Sequence, residues 1–410
     1  MRILHLVHQY FPEKVGGTEV YTRSLARQQA AQGHSVAIFA PATMADPTLE
    51  PEVEEAVRVY RVGIESRGAA AVFGSTFHHS PLHKAFAYVL QKERPDVVHV
   101  QHLMGLPTSL ISQLQTAHIP YAITLWDFWW VCANAQLLTN YSQEICDGPR
   151  LFINCARCAL ARLDLPQFPP ALASLALPLA GRNWRLQPVL EGAACLIAPA
   201  TFVRDWYAAH GVPVNKMVVV APGLDYPVAL PEREKEEGER PFRIGYIGGI
   251  SRQKGVHHLV EAFRQLSHSE LWIAGDTNFD PHYTAHLHEL ATAQARFCGK
   301  LDRAAIWKML RQLDVLVVPS VWYETFGFVI SEAFVAGVPV VAFNLGVMAE
   351  RIQDGRDGLL LPPGDRQALA RTLCDLQQNP TRLAQLQAGI QPVRTMVEHG
   401  QEIGALYHTL

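Results

Sequence analysis

The chain has 410 residues, of which 49% are apolar and 18% charged, and its formal net charge is −3. That length suits two domains of ordinary size, each large enough to bury its own core. The near-neutral balance, with no basic block interleaved with aromatics, excludes a nucleic-acid partner and any general attraction of the whole chain to anionic lipid.

Residues 1–7 carry one basic side chain and then a strand-like run. They lack the long apolar core and small-residue cleavage site of a signal peptide, so a cytoplasmic protein is expected. Strand-type runs at 3–7, 36–40, 97–100, 121–125, 194–198 and 218–220 alternate with helical stretches. The first strand leads into Phe11-Pro12-Glu13-Lys14-Val15-Gly16-Gly17-Thr18-Glu19. Thr18 is the expected N-cap of a helix running to about Gln32, which Gly33 stops. Gly16 and Gly17 either let bare backbone approach a ligand or form a flexible turn.

His102, at the end of the 97–100 run, is either a ligand-facing or a structural histidine. Thr124-Leu125-Trp126-Asp127-Phe128-Trp129 then sets an indole and a carboxylate at another strand end. A tryptophan offers a stacking face and one N–H donor, but no acceptor and no titratable proton. Of seven cysteines, Cys195, Cys298 and Cys374 read as core thiols, while Cys132, Cys146, Cys155 and Cys158 fall within 27 residues. Four thiolates could close a tetrahedral structural zinc site. The irregular 13- and 8-residue gaps favour separate reduced thiols or one labile disulfide instead. The longest apolar segment, 171–180, is broken by Pro178 and falls far short of the roughly 20 residues that span a bilayer. With Arg182, Trp184 and Arg185 after it, a weak peripheral membrane contact is the most it implies.

Residues 227–241 hold three prolines and the charge run 232–237, the composition of a solvated linker. Alternation restarts with strand runs at 242–247, 271–274, 315–318, 338–342 and 359–361. Two such series imply two doubly wound α/β domains with parallel sheets, facing across a cleft, with ligands at the C-terminal strand edges. The expected boundaries are 1–226 (with a cysteine-containing insertion at about 132–185), a linker at 227–241, 242–391, and a final helix within 392–410.

The second series opens on Gly248-Gly249-Ile250-Ser251-Arg252-Gln253-Lys254-Gly255, followed by a helix with Val256, Leu259, Val260 and Phe263 on one face. Arg252 and Lys254 precede a helix N-terminus, where the dipole disfavours cations unless an anion such as a diphosphate binds there. Asp276, after Gly275, either binds a hydroxyl or caps the next turn. Cys298-Gly299-Lys300-Leu301 follows another short run. Pro319 then ends the strand 315–318; Glu324 sits in the loop before a helix, and Glu332 lies eight positions on, about two turns in. Gly337 and Pro339 stop that helix. Carboxylates at such a mouth accept hydrogen bonds from sugar hydroxyls while the helix end receives a phosphate.

The stretch PSVWYETFGFVISEAFVAGVPVVAF resembles the signature P-S-x-x-E-x-F-G-x-x-x-x-E-A followed by G-x-P-V of the retaining glycosyltransferases of family 4, which have the GT-B fold. The resemblance covers essentially the whole chain. It implies that Glu332 holds the donor ribose and Glu324 contacts the transferred sugar, with Thr325, Phe326 and Gly327 beside them. It implies that Gly16 and Gly17 approach the donor diphosphate, that Lys254 is the family lysine, and that Gly299 and Lys300 belong to a loop reading the nucleobase. Relatives usually carry an Arg where Gly249 stands, and Arg252 is the candidate substitute. They commonly have T-x-H-D where this chain has Trp126; Asp127 still matches. The expected catalytic set is therefore Glu324, Lys254, Arg252 and Asp127, with Trp126 and His102 on the acceptor or sugar side.

The expected activity is retaining transfer from a UDP- or GDP-sugar to a hydroxyl of a glycan or lipid-linked acceptor, in polysaccharide or glycolipid assembly. No cofactor beyond the nucleotide-sugar co-substrate and no catalytic metal is implied, and the inner face of the membrane is the implied setting. The last helix is implied to pack back on the first domain. Trp126 and Gly249 also motivate an alternative, a sugar-nucleotide-binding or scaffold protein of weakened activity. An epimerase of similar architecture is a third reading that the Glu324 and Lys254 matches disfavour.

Overall fold

A computed structural model describes residues 1–13, 15–43, 49–65, 68–233 and 240–410. The chain forms two compact units, Met1–Gly223 with Arg394–Leu410, and Leu224–Val393.

The first unit is built on strands β1 (Arg2–Leu6), β2 (Ser35–Ala42), β3 (Glu52–Glu54), β4 (Val57–Gly63), β5 (Val97–Val100), β6 (Tyr121–Thr124), β7 (Cys195–Ala198) and β8 (Met217–Val219). They form one sheet in the order β3-β4-β2-β1-β5-β6-β7-β8. All its pairings are parallel except β3 with β4. Strands β5, β6 and β7 are buried at every position, as continuous apolar runs covered on both faces should be.

The first helix, Gly17–Ala31, starts one residue before Thr18, whose expected capping role passes to its neighbours. Gly16 occupies the cap, and its N–H donates to Glu19 Oε2 at 2.7 Å. The last helix, Met396–Tyr407, belongs to this unit and is closed by a Thr395–Glu398 capping box. It packs against the first helix, where Tyr21 Oη lies 2.7 Å from His399 Nε2, and against β5, where Tyr407 Oη lies 2.6 Å from His99 Nδ1.

The second unit contains β9 (Phe242–Ile247), β10 (Ser269–Ala274), β11 (Ala295–Gly299), β12 (Val315–Val318), β13 (Val340–Phe343) and β14 (Gly358–Leu361). Their order is β11-β10-β9-β12-β13-β14, parallel throughout. Val256, Leu259, Val260 and Phe263 all enter its core, so the one-faced spacing of that helix reports its packing correctly. The charged stretch expected to be a solvated linker lies partly outside the described residues, at 234–239. Its flanks are tied down: Arg233 and Arg240 converge on Asp314, at 3.0 and 2.5 Å, and Asp314 also accepts from the Arg243 N–H. Burial opposes ionisation of Asp314, yet these donors hold its carboxyl below the usual range.

Candidate active site

In the second sheet the chain winds outward from β9 through β10 to β11, then returns beside β9 to continue through β12 to β14. The β9–β12 boundary is therefore a topological switch point. Loops leaving the C-terminal ends of two adjacent parallel strands diverge there and open a crevice. The loop after β9 carries Arg252 and Lys254; the loop after β12 carries Glu324.

Backbone packing locks these loops together. Val321 N–H donates to Gln253 O at 3.0 Å. Gly255 has φ +67°, and a Cβ there would meet Pro319 O at 1.9 Å. Only glycine satisfies both the left-handed backbone and that approach. Within this frame Lys254 Nζ lies 2.7 Å from Glu324 Oε1 and 4.8 Å from the centroid of the Trp322 ring. The same oxygen accepts from Ser320 Oγ at 2.7 Å and Trp322 Nε1 at 2.9 Å. Burial alone would raise the Glu324 pKa, but the Lys254 charge and these donors hold it below the ordinary carboxylate value. Glu324 is thus an oriented anion beside a cation that retains 25% side-chain exposure.

Glu332 is buried in the helix Phe328–Val335, which begins after Gly327 at φ +73°. Its carboxylate is paired with Arg303, a residue that the sequence reading did not single out. Arg303 opens the helix Arg303–Gln312, capped by Asp302. The Asp302-Arg303 pair just after β11 was the available signal, because a capped helix start at a C-terminal strand edge aims its first side chains toward that edge. Phe326 is buried beneath the Arg351 guanidinium, 4.0 Å from its ring centroid. Gly299 ends β11 with φ +67°, and Lys300 beside it is exposed, as is Arg252. Asp276 caps its own turn, accepting from the Asn278 N–H at 2.9 Å. The structure therefore gathers Lys254, Glu324, Ser320 and Trp322 by direct contact. Arg252, Glu332, Gly299 and Lys300 sit on or after strands of the same sheet edge.

The first sheet has its own switch point, between β1 and β5. Gly16, Gly17, Glu19 and His8 follow β1, His102 follows β5, and Trp126 and Asp127 follow β6. His102 Nδ1 accepts from the Met104 N–H at 3.1 Å, so in the neutral ring Nε2 carries the proton and donates to Asp127 Oδ2 at 3.0 Å. Asp127 Oδ1 accepts from the Trp129 N–H at 2.8 Å. The His8 ring lies 4.3 Å from that of His102, and its Nδ1 stands 4.0 Å from Glu19 Oε1. Burial, aided by His102, pushes the His8 pKa well down, and burial raises that of Glu19. Both groups thus tend toward neutrality. Trp126 is buried, with its indole N–H on Gln101 Oε1 at 3.0 Å and its ring edge-on to Tyr21. It is a packing element of this unit, and its N–H is already engaged.

The four clustered cysteines are free thiols, like the other three. Cys158 Sγ accepts from the Asn140 N–H at 3.3 Å and Cys146 Sγ from Asn154 Nδ2 at 3.5 Å. Burial, then the neighbouring thiols, pushes Cys155 up to about 12. Among the described residues no group of three His, Cys, Asp or Glu side chains is arranged to hold a metal ion.

Residues 16–223 match the family described as glycosyl transferase 4-like domain, and residues 241–379 match glycosyl transferases group 1. A glycogen synthase of Mycobacterium tuberculosis is 24% identical over 400 residues, covering 93% of this chain and 87% of that protein. A D-inositol 3-phosphate glycosyltransferase of Paenarthrobacter aurescens is 33% identical over 196 residues, 43% of this chain and 47% of its own. Among solved structures, sucrose-phosphate synthase of Thermosynechococcus elongatus superposes with a TM-score of 0.74 at 20% identity, covering 100% of this chain and 99% of that one. The Anabaena protein HepE in complex with UDP and glucose gives 0.69 at 20% identity, with 100% of both chains covered. Two parallel-sheet α/β units, the matched families and these neighbours lead to one conclusion: the chain belongs to the family 4 glycosyltransferases and has the GT-B fold.

Proposed function

We propose that the chain transfers a sugar from a nucleotide diphosphate donor to a hydroxyl acceptor with retention at the anomeric carbon, without a catalytic metal, in glycan or glycolipid assembly. One observation carries the reading: the Lys254–Glu324 pair, held by two interlocked loops at the β9–β12 switch point. In the proposed reaction the bond from the anomeric carbon to the leaving phosphate oxygen breaks, and its electron pair stays on the diphosphate. The acceptor oxygen bonds to the same face of that carbon, and its proton passes to the departing phosphate. Lys254 and Arg252 meet the charge that develops on the diphosphate, which is electrostatic stabilisation of the oxyanion-hole kind. Glu324, ionised and oriented, accepts from donor-sugar hydroxyls, and Glu332, relieved of Arg303, accepts from the ribose. Asp127 and His102 lie at the acceptor-side edge of the first sheet in this reading. The names and ligands of the similar proteins, a glycogen synthase and a complex with UDP and glucose among them, support a sugar-nucleotide donor.

A thermal-shift screen against UDP, GDP, ADP and their sugars identifies the base, since a ligand at 100-fold its Kd adds about 2.7 kcal/mol of apparent stability. With the donor so found, Lys254→Ala lowers kcat/KM by at least ~100-fold, the effect typical of one oxyanion donor, and a chelator leaves wild-type turnover unchanged. Near-normal turnover in the variant removes the assigned role. Nucleotide binding with no sugar released, to water or to any acceptor, identifies a binding protein instead.

A further inference from the structure

The helix Pro169–Glu191 in the first unit exposes large apolar side chains. Its inner side buries Ala176, Leu179, Leu186 and Val189. Its outer side presents Leu177 and Trp184, 76% and 74% exposed, and Glu191 at the last position is its only carboxylate. Leu165 and Phe168, in the turn that leads into it, are also about half exposed (49% and 53%). Leu177 and Trp184, one heptad apart, thus stand open as an apolar strip flanked by the polar residues Ser174, Arg185 and Gln187.

Charge indicates the medium. Arg157 and Arg162, on the helix Ile153–Arg162 that packs against this one, and Arg185 beside Trp184 are exposed. Their contacts are neutral: Arg157 with Gln167 at 2.9 Å and over the Tyr141 ring, Arg162 with Asn134 at 2.8 Å, and Arg185 over the Phe77 ring. None of the three pairs with a carboxylate among the described residues. Asp164 is the one acidic side chain in the intervening turn. A symmetric contact between two copies through this face would set one net-positive patch against another, which is unfavourable. No helix among the described residues is long and apolar enough to cross a membrane, so the helix would lie along a surface.

We propose that this face docks on an anionic lipid bilayer, with Leu177 and Trp184 at the headgroup–acyl boundary and the three arginines among the phosphates. The net charge of −3 gives no such attraction for the chain as a whole; the attraction is local to this helical hairpin.

Co-sedimentation of the full chain with vesicles tests it. Binding to phosphatidylcholine vesicles containing one quarter phosphatidylglycerol is expected to be on the order of 100-fold tighter than to phosphatidylcholine alone, for three arginines near the surface, and to weaken with salt. The double variant Leu177→Ser, Trp184→Ser loses at least ~10-fold of that binding while its melting temperature and its stabilisation by nucleotide stay unchanged. The triple variant Arg157→Gln, Arg162→Gln, Arg185→Gln loses the preference for anionic vesicles. Equal binding to both vesicle types, no binding, or unaltered binding by the double variant overturns the proposal. So does a dimer in solution that the double variant converts to monomer, because the face is then a contact between copies.

Discussion

The two switch points share a topology and differ in electrostatics. At the β9–β12 crevice a carboxylate is kept ionised by Lys254, and a second, Glu332, is paired with Arg303. At the β1–β5 crevice burial drives His8 and Glu19 toward neutral forms, and beneath them His5, His99, Gln29, Gln101, Thr124 and Tyr407 form a network of uncharged hydrogen bonds. Equivalent backbone positions thus carry different electrostatics: an internal ion pair at one edge, and at the other Asp127 with its two hydrogen-bond donors above a network of neutral side chains. Topology supplies the crevice, and the side chains decide its chemistry.

That contrast can be broken at several points, and the largest effect belongs to Gly255. Gly255→Ala is expected to destabilise the second unit by about 3 kcal/mol or more, because it combines left-handed strain with a backbone clash. Gly16→Ala, its counterpart in the first unit, is close to neutral, since its Cβ meets only the movable Glu19 carboxylate at an extended backbone position. Calorimetry that found equal melting for the two variants would contradict the interlocking of the second unit's loops.

Acid comes next. Burial lowers His5 to about 4, with Gln29 partly opposing, lowers His399 to about 3, and pushes His99 well down. Each ring is neutral in the folded chain and titrates near 6.5 when unfolded. The stability they contribute is complete above pH 6.5 and is lost as pH falls toward the folded values, about 3 kcal/mol by pH 4 for His5 alone. In the second unit, burial lowers His257 to about 4 and also lowers His258. Hydrogen exchange at pH 5 should therefore show the first unit opening before the second; the reverse order would mean that the buried histidines do not control its acid stability.

The smallest effect is at Asp127. In Asp127→Asn one amide oxygen cannot serve both the Trp129 N–H and His102 Nε2–H, which costs about 1 kcal/mol of stability. Transfer should fall while donor binding by the second unit holds. Undiminished transfer would take Asp127 away from the reacting groups.

Most of the strand framework was legible because covered parallel strands are short continuous apolar runs, such as VVHV and VLVV. The β3–β4 hairpin was not. Its turn residues Glu55 and Ala56 adopt φ of +48° and +68° without the Gly or Asn that normally marks such a turn, although the alternation in VRVYRVG was there to be read. Thr18 looked like a cap because hydroxyl chemistry is the usual signal, yet the Glu19 side chain reaching back to Gly16 fixes the cap two residues earlier. Glu324 and Lys254 were visible as motif residues, but their 70-residue separation hid their pairing until the strand order brought the loops together. The pairing of Arg303 with Glu332, 29 residues apart, stayed hidden for the same reason. Trp126 stood out as a departure from the family pattern, whereas its burial against Tyr21 and Gln101 joins residues from three separate elements, which sequence adjacency does not reveal.

That final helix has a consequence for biosynthesis. Gly223 leaves the first unit, and Arg394 re-enters it so close by that a Cβ on Gly223 would collide with the Thr395 carbonyl. The second unit is therefore a cassette spliced into the first. On the ribosome, Tyr21 and His99 must wait for His399 and Tyr407, which are synthesised only after the whole cassette has emerged. The half of the protein that is translated first is thus the half that finishes folding last.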